Sequence, residues 1–278
     1  MDGLYGGAVS DDDSGSLRYV QVKYAGSRLV MQSDPGVSFN LGGITFGGVG
    51  SGTDVEYVQV YNAPRHGIGY FGGTVNSRRV VVTGSAILLD IDHGYQGSLQ
   101  HVIGVQGQGV GRSINVGSVR PGSSPASDPT IGNFTLIGAD STRGSAIRVR
   151  RGAVGTWLNG VVTGGNACLE YEGDAGDGVE GFTPGSDPAF LSVLFDCAGG
   201  VLTRRGGVTG QEAVDADRNN RIMTHTLEGF VNGLAEAAVP AAPVPPGNSF
   251  LEAVDYIGAV RNADDTWWRG WTYGPEAL

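Results

Sequence analysis

LRYVQV (17–22) returns as VEYVQV (55–60), and the pair opens a series: RRVVV (78–82), QHVIGV (100–105), GNFTLIG (132–138), LNGVVTG (158–164) and SVLFDC (192–197). The repeating unit is an apolar-alternating strand, a glycine turn and a second short strand. Recurrence on this scale signals a solenoid, in which each unit buries its apolar side only by stacking on its neighbours. Val60 to Val82 is 22 residues, and the next strand centres near Ile103, 21 further on.

A second column runs beside the first: Ile44, Ile68, Leu89, Ile114, Ile147 and Leu169, spaced 24, 21, 25, 33 and 22 residues apart. The long interval holds RPGSSPASDP (120–129), which reads as a loop bulging from one corner. Parallel stacking needs every coil to place apolar residues inward at matching points, and the two columns do so. The spacing predicts an all-β chain: a single right-handed parallel β-helix of about seven or eight coils over 1–236. Residues 237–278 read differently. AAVPAAPVPPGNSF (237–250) predicts an extended surface strap. Trp267, Trp268 and Trp271 in the stretch after it predict an aromatic cap over the open end of the stack, with a binding platform as the other reading.

Composition agrees. Gly supplies 49 of 278 residues without a triplet period, as sharp turns repeated many times require. A net charge of −10 and the absence of a basic stripe argue against nucleic acid as a partner, although Arg143, Arg148, Arg150 and Arg151 crowd one rung. No run of 18 apolar residues is present, so no membrane span is expected. MDGLYGG is no signal peptide, which leaves a cytoplasmic chain or one that starts after its export signal. Cys168 and Cys197 lie 29 residues apart, about one rung; a disulfide and two separate buried thiols are both open.

Several motifs carry a resemblance: LYGG, DDDSGSLRYVQVKYAG, GGITFGGVGSGT, VEYVQVYN, YFGGTVN, DHGYQGSLQ, FTLIG and, near the end, YIGAV. Together they resemble bacterial envelope or secreted right-handed β-helix proteins, often lipoproteins of proteobacteria and mostly of unassigned function. The resemblance covers nearly the whole chain. It implies an extracellular or cell-envelope location and a trimmed member that starts at a rung boundary. Where that family's strands carry acidic residues, this chain reads RHGIGYFGG (65–73), AILLDIDHG (86–94) and RSINVGS (112–118). Arg65-His66, Ala86-Ile87, Gly69, Asn115 and Gly117 replace acidic positions, and Asp90 and Asp92 remain. The departures all flank one core column, which implies a ligand face remodelled by evolution or by engineering.

Alternation along the strands sets the geometry of that face. One outward ladder holds Gly69, Asp90, Asn115, Arg148 and Glu170; a second holds Phe71, Asp92, Gly117, Arg150 and Glu172; His66, Ile87, Arg112 and Ser145 lie on the other side of the anchors. The preferred reading is a binding scaffold without turnover. Arg65, His66, Gly69, Arg112, Asn115, Arg148, Arg150 and Glu170 would contact a small polar molecule or glycan, with Gly67 and Gly69 making a hollow. The alternative is a polysaccharide lyase or glycoside hydrolase, with Asp90 and Asp92 as catalytic acid and base and Arg112 or Arg148 clamping a substrate carboxylate. A structural envelope solenoid is the second alternative. No cofactor is expected; Asp90, Asp92 and His93 offer ligands for Ca²⁺, which the neighbouring Arg148 opposes. DADRNNR (215–221) lacks the Gly and terminal Glu of an EF-hand, and GVGSG (48–52) precedes a strand, so neither predicts a site. His101 and His225 have no visible catalytic partner, and the oligomeric state is not set by the sequence.

Overall fold

A computed structural model describes residues 6–31, 34–107, 111–139, 144–173, 185–203, 207–215 and 218–274, with side chains described outside 28–40. Arg143 lies outside the described residues. In chain order the strands are β1 (Ser16–Lys23), β2 (Arg28–Met31), β3 (Asp34–Asn40), β4 (Gly42–Gly47), β5 (Asp54–Tyr61), β6 (His66–Phe71), β7 (Asn76–Thr83) and β8 (Ile87–Asp92). There follow β9 (Ser98–Val105), β10 (Arg112–Gly117), β11 (Thr130–Ile137), β12 (Ser145–Arg150), β13 (Thr156–Thr163), β14 (Ala167–Tyr171) and β15 (Ala189–Asp196), then helix α1 (Gly207–Asp215) and the short β16 (Arg221–Ile222).

Alternate strands stack into two parallel sheets. The larger runs β1-β5-β7-β9-β11-β13-β15-β16 and the smaller β14-β12-β10-β8-β6-β4; β2 and β3 form a separate antiparallel pair. The chain is a parallel β-helix, and both apolar columns face its interior. Val58, Val80, Val102, Phe134 and Val193 line the large-sheet side; Ile68, Leu89, Ile114, Ile147 and Leu169 line the small-sheet side; all of them are fully buried. Trp157 stacks on Phe190 at 5.8 Å, and Tyr70 contacts Phe46 at 5.2 Å and Tyr95 at 5.1 Å, so aromatic rings also follow the stack.

Each large-sheet strand except the short β16 bends at one residue in the left-handed region. The column is Tyr19, Tyr57, Arg79, His101, Asn133, Asn159 and Ser192, with φ between 50° and 57°. This corner drops out of the residue pairing between neighbouring strands, which resumes on either side of it. One strand of the repeat is therefore two short strands joined by a sharp turn.

The last rung and the tail are arranged differently from expectation. The terminal rung is closed by α1, whose Ala213 and Val214 join the core. The three tryptophans do not sit there. Trp268 packs on Val81, Ile103 and Val105, with Trp267 and Trp271 beside it, on the outer face of the large sheet near the first rungs. The cause is that this outer face is itself apolar and must be covered. From Leu227 onward the tail lies along it, running back toward the start of the stack. Val239 and Ile257 pack on Val161 and Leu194, while Ala242 and Leu251 pack on Leu158.

Side-chain amides fasten this strap. Gln100 donates to the Glu252 carbonyl and accepts from the Glu252 N–H, both at 2.8 Å. Gln59 does the same with Tyr273 (2.8 and 2.7 Å), and Asn159 with Ala242 (3.1 and 2.7 Å). An amide that both donates and accepts imitates a neighbouring strand, so the strap's backbone is satisfied without joining a sheet. Cys168 and Cys197 form a disulfide, with Cα atoms 5.5 Å apart, that ties β14 to the segment following β15.

Candidate functional site

The outer face of the small sheet carries the residues singled out from the sequence. Its register is continuous: Gly69 pairs with Asp90, Asp90 with Asn115, Asn115 with Arg148, and Arg148 with Glu170. Phe71 is opposite Asp92, and Gly117 opposite Arg150. Side chains in register on adjacent strands of one sheet stand about 4.8 Å apart, so the run from Asp90 to Glu170 is a continuous polar ridge, whereas Phe71 and Gly117 interrupt the second row.

His66, Ile87, Arg112 and Ser145 reach the same side because alternation fails just before each anchor. Leu88, Ala146 and Cys168 turn into the core together with the anchors that follow them. Gly67 belongs to this inward set. A Cβ on it would lie 2.3 Å from Val82 Cγ1 and 2.6 Å from the Leu88 carbonyl oxygen. It therefore makes no hollow on the outer face. The space at Gly69 is also occupied, since a Cβ there would meet the Phe71 ring at 2.9 Å. The hollow expected from these two glycines is absent: one faces inward and the other is roofed by an aromatic ring.

The polar side chains fall into three groups. In the first, Asp90 accepts from Asn115 Nδ2 at 2.7 Å, and its other oxygen lies 3.0 Å from His66 Nδ1. The His66 contact falls short of an aligned hydrogen bond. Burial opposes ionisation of Asp90, but His66, Asn115 and Arg150 together outweigh it and hold the carboxyl below its ordinary value. In the second, Arg112 donates to Glu170 at 2.9 Å, spanning the strand between them, and Ser145 donates to the same oxygen at 3.3 Å. Arg148 lies 3.6 Å from Glu170 and donates to Glu172 at 3.1 Å, which closes a relay of alternating charge.

The third group surrounds Gly117. A Cβ on that residue would lie 3.1 Å from Asp92 Oδ2 and 3.3 Å from Arg150 Nε, so both side chains lean over the space that a side chain there would fill. Asp92 also accepts from the His93 N–H at 2.6 Å. Burial makes the Arg150 guanidinium easier to deprotonate than usual; Arg151 and Arg148 add to this, while Asp92 and Asp90 oppose it. Its Nε is buried without a hydrogen-bond partner among the described residues.

Arg65 stands apart. It is exposed in the turn before β6, where its carbonyl accepts from Ile87, and among the described residues its guanidinium enters no ion pair. Among the described residues no three of His, Cys, Asp and Glu lie close enough to share a metal ion. Sequence reading also missed a groove of about 450 Å³ at the corner beside Phe71 and Asp92. Gly48, Gly72, Gly73, His93, Gly94 and Pro125 line it. Its one signal was the recurrence of glycine just after each small-sheet strand.

Such a face is a rigid, charge-alternating surface that can hold a polar ligand. The depressed carboxyl of Asp90 stays ionised and accepts hydrogen bonds; it is unsuited to donate a proton to a leaving group. The family model described as a pectate-lyase-like β-helix domain matches residues 2–235 of the chain. No curated protein and no solved structure matches the chain significantly.

Proposed function

The chain belongs to the pectate-lyase-like β-helix domain family, and on that premise we propose that the outer face of its small sheet binds an acidic glycan without cleaving it. The carrying observation is the ion-pair relay of Arg112, Glu170, Arg148 and Glu172 across three rungs. Guanidinium groups held in place by carboxylates lose little freedom on meeting a ligand carboxylate, and a row of them suits a polymer that repeats its charge. Ionised Asp90, with Asn115 and His66, would accept sugar hydroxyl hydrogens. The disulfide and the family together support an extracellular or cell-envelope location.

A second reading has its own observation. A lyase removes the proton beside a uronate carboxylate and expels the oxygen at C4, which calls for a base. Arg150 is half-buried, is more readily deprotonated than an ordinary arginine and leans over Gly117 from the strand beyond it, as Asp92 does from the other side. One experiment separates the two. Titrate oligogalacturonate by calorimetry, with Ca²⁺ and with chelator, while following ultraviolet absorbance of the unsaturated product. Binding that weakens about tenfold in Arg148→Ala, with flat absorbance, supports recognition (about 1.4 kcal/mol). Rising absorbance that Arg150→Lys abolishes replaces that reading with the lyase. No heat and no product would remove both.

A further inference from the structure

The arginines of the small-sheet face are not equally engaged. Arg112 and Arg148 already hold carboxylates, those of Glu170 and Glu172. Arg150, two residues beyond Arg148 on β12, holds none. Among the described residues it makes no hydrogen bond and no ion pair, although its Nε is buried. Burial and the like charges of Arg151 and Arg148 keep its pKa below the ordinary value, against the pull of Asp92 and Asp90. Arg151, exposed in the turn that follows, reaches only the Val119 carbonyl, at 3.5 Å. A guanidinium pressed in this way is relieved by an anion placed beside it.

Asp92 answers Arg150 from the other side of β10. It is 9 % exposed, and its Oδ1 accepts from the His93 N–H at 2.6 Å, whereas Oδ2 has no donor among the described residues. Oδ2 and Arg150 Nε lie 3.1 and 3.3 Å from the point where a Cβ on Gly117 would stand. An unused acceptor and an unused donor therefore lean over one glycine without pairing with each other. The groove lined by His93, Gly94 and Pro125 runs alongside and leaves room for the rest of a ligand.

We propose that Arg150, Gly117 and Asp92 form a subsite for a carboxylate that carries a hydroxyl on a neighbouring carbon. Arg150 donates to the carboxylate, and the hydroxyl donates to Asp92 Oδ2 above Gly117. Charge fixes this orientation, because the carboxylate is repelled by Asp92 and attracted by Arg150 and Arg151. A hydroxyl alone would leave the Arg150 charge uncompensated. A free hydroxy acid and a uronate residue within a chain share this chemistry. The subsite adjoins the ion-pair relay but does not rest on the acidic-glycan reading.

Four probes take the recognition apart. D-gluconate carries both groups, hexanoate the carboxylate alone and sorbitol the hydroxyls alone, while trigalacturonate presents the pair within a chain. Binding is read by calorimetry and by the rise in unfolding midpoint that a ligand of the folded state produces. The proteins are the full chain, Arg150→Gln, Gly117→Ala, Asp92→Ala, Arg148→Ala and Arg261→Gln, the last removing a charge from an exposed arginine of the strap. Expected is saturable binding of gluconate or trigalacturonate, weaker by about tenfold or more in Arg150→Gln and unchanged in Arg261→Gln. Gly117→Ala should weaken it too, and Asp92→Ala should erase any preference for gluconate over hexanoate. Binding of gluconate assigns a free hydroxy acid to the subsite, and binding of trigalacturonate alone assigns a chain residue. Silence from both overturns the proposal, as does equal binding by Arg150→Gln, or hexanoate or sorbitol matching gluconate on the full chain. Trigalacturonate that needs Arg148 but not Arg150 overturns it and keeps the acidic-glycan reading. Gluconate lost in Arg150→Gln, with trigalacturonate silent, keeps the subsite and removes that reading.

Discussion

At Gly67 the packing has no room for a side chain. Its Cβ would strike Val82 and the Leu88 carbonyl, and neither can retreat from a rung that is stacked on both sides. Gly67→Ala is expected to lower stability by about 1–3 kcal/mol, read as a lower denaturant midpoint; an unchanged midpoint would mean that the rung can spread. The same residue marks a limit of sequence reading. Asp90, Asn115, Arg148 and Glu170 were legible as one ladder because they share an offset from a strict apolar anchor. Gly67 was not, because two consecutive inward residues break the two-residue period. Nor was Phe71 legible as the roof over Gly69, since a side chain that folds along its own strand leaves no periodic trace.

Among the elements, the tail holds the clearest departure, since the tryptophans expected over the open end lie on the outer face of the large sheet. Its composition announced an extended segment, but its destination had to be inferred from the sheet. Runs such as RRVVV and LNGVVTG are apolar on both faces, the mark of a strand covered on two sides. Val81, Ile103, Val161 and Leu194 were thus a legible signal for a cover. His101 lies beneath that cover, 3.9 Å from Glu252 and near the Tyr256 and Trp267 rings. Burial, reinforced by Arg79 and opposed by Glu252 and Asp265, lowers its pKa from 6.5 to about 4. A histidine depressed in the folded state gives its full support above its unfolded value and withdraws it as the pH falls toward the folded one. The chain should therefore lose roughly 3 kcal/mol between about pH 6.5 and pH 4 through this residue. His101→Asn keeps the left-handed corner and should flatten that part of a plot of unfolding midpoint against pH. An unaltered profile would assign the acid sensitivity elsewhere.

Across the whole molecule, the stack was legible from its period and the disulfide was not. Spacing allowed Cys168 and Cys197 to meet, but neighbouring rungs also accommodate two thiols. The bond closes a loop of 29 residues at the end of the stack. Removing it with Cys168→Ala/Cys197→Ala should cost about 3–4 kcal/mol, seen in equilibrium unfolding; a loss below about 1 kcal/mol would show that α1 alone secures this end.

The strap changes how the whole stack behaves. A solenoid ordinarily frays from either end, because each rung is coupled only to the next. Here Trp271 and Tyr273 reach back to Tyr19, Gln59 and Lys23, so this segment rests on the rungs of β1 and β5, far from the strands that precede it in the chain. The topology is closed into a ring by contacts rather than by a bond. A cut anywhere in the strap would return the molecule to unravelling rung by rung.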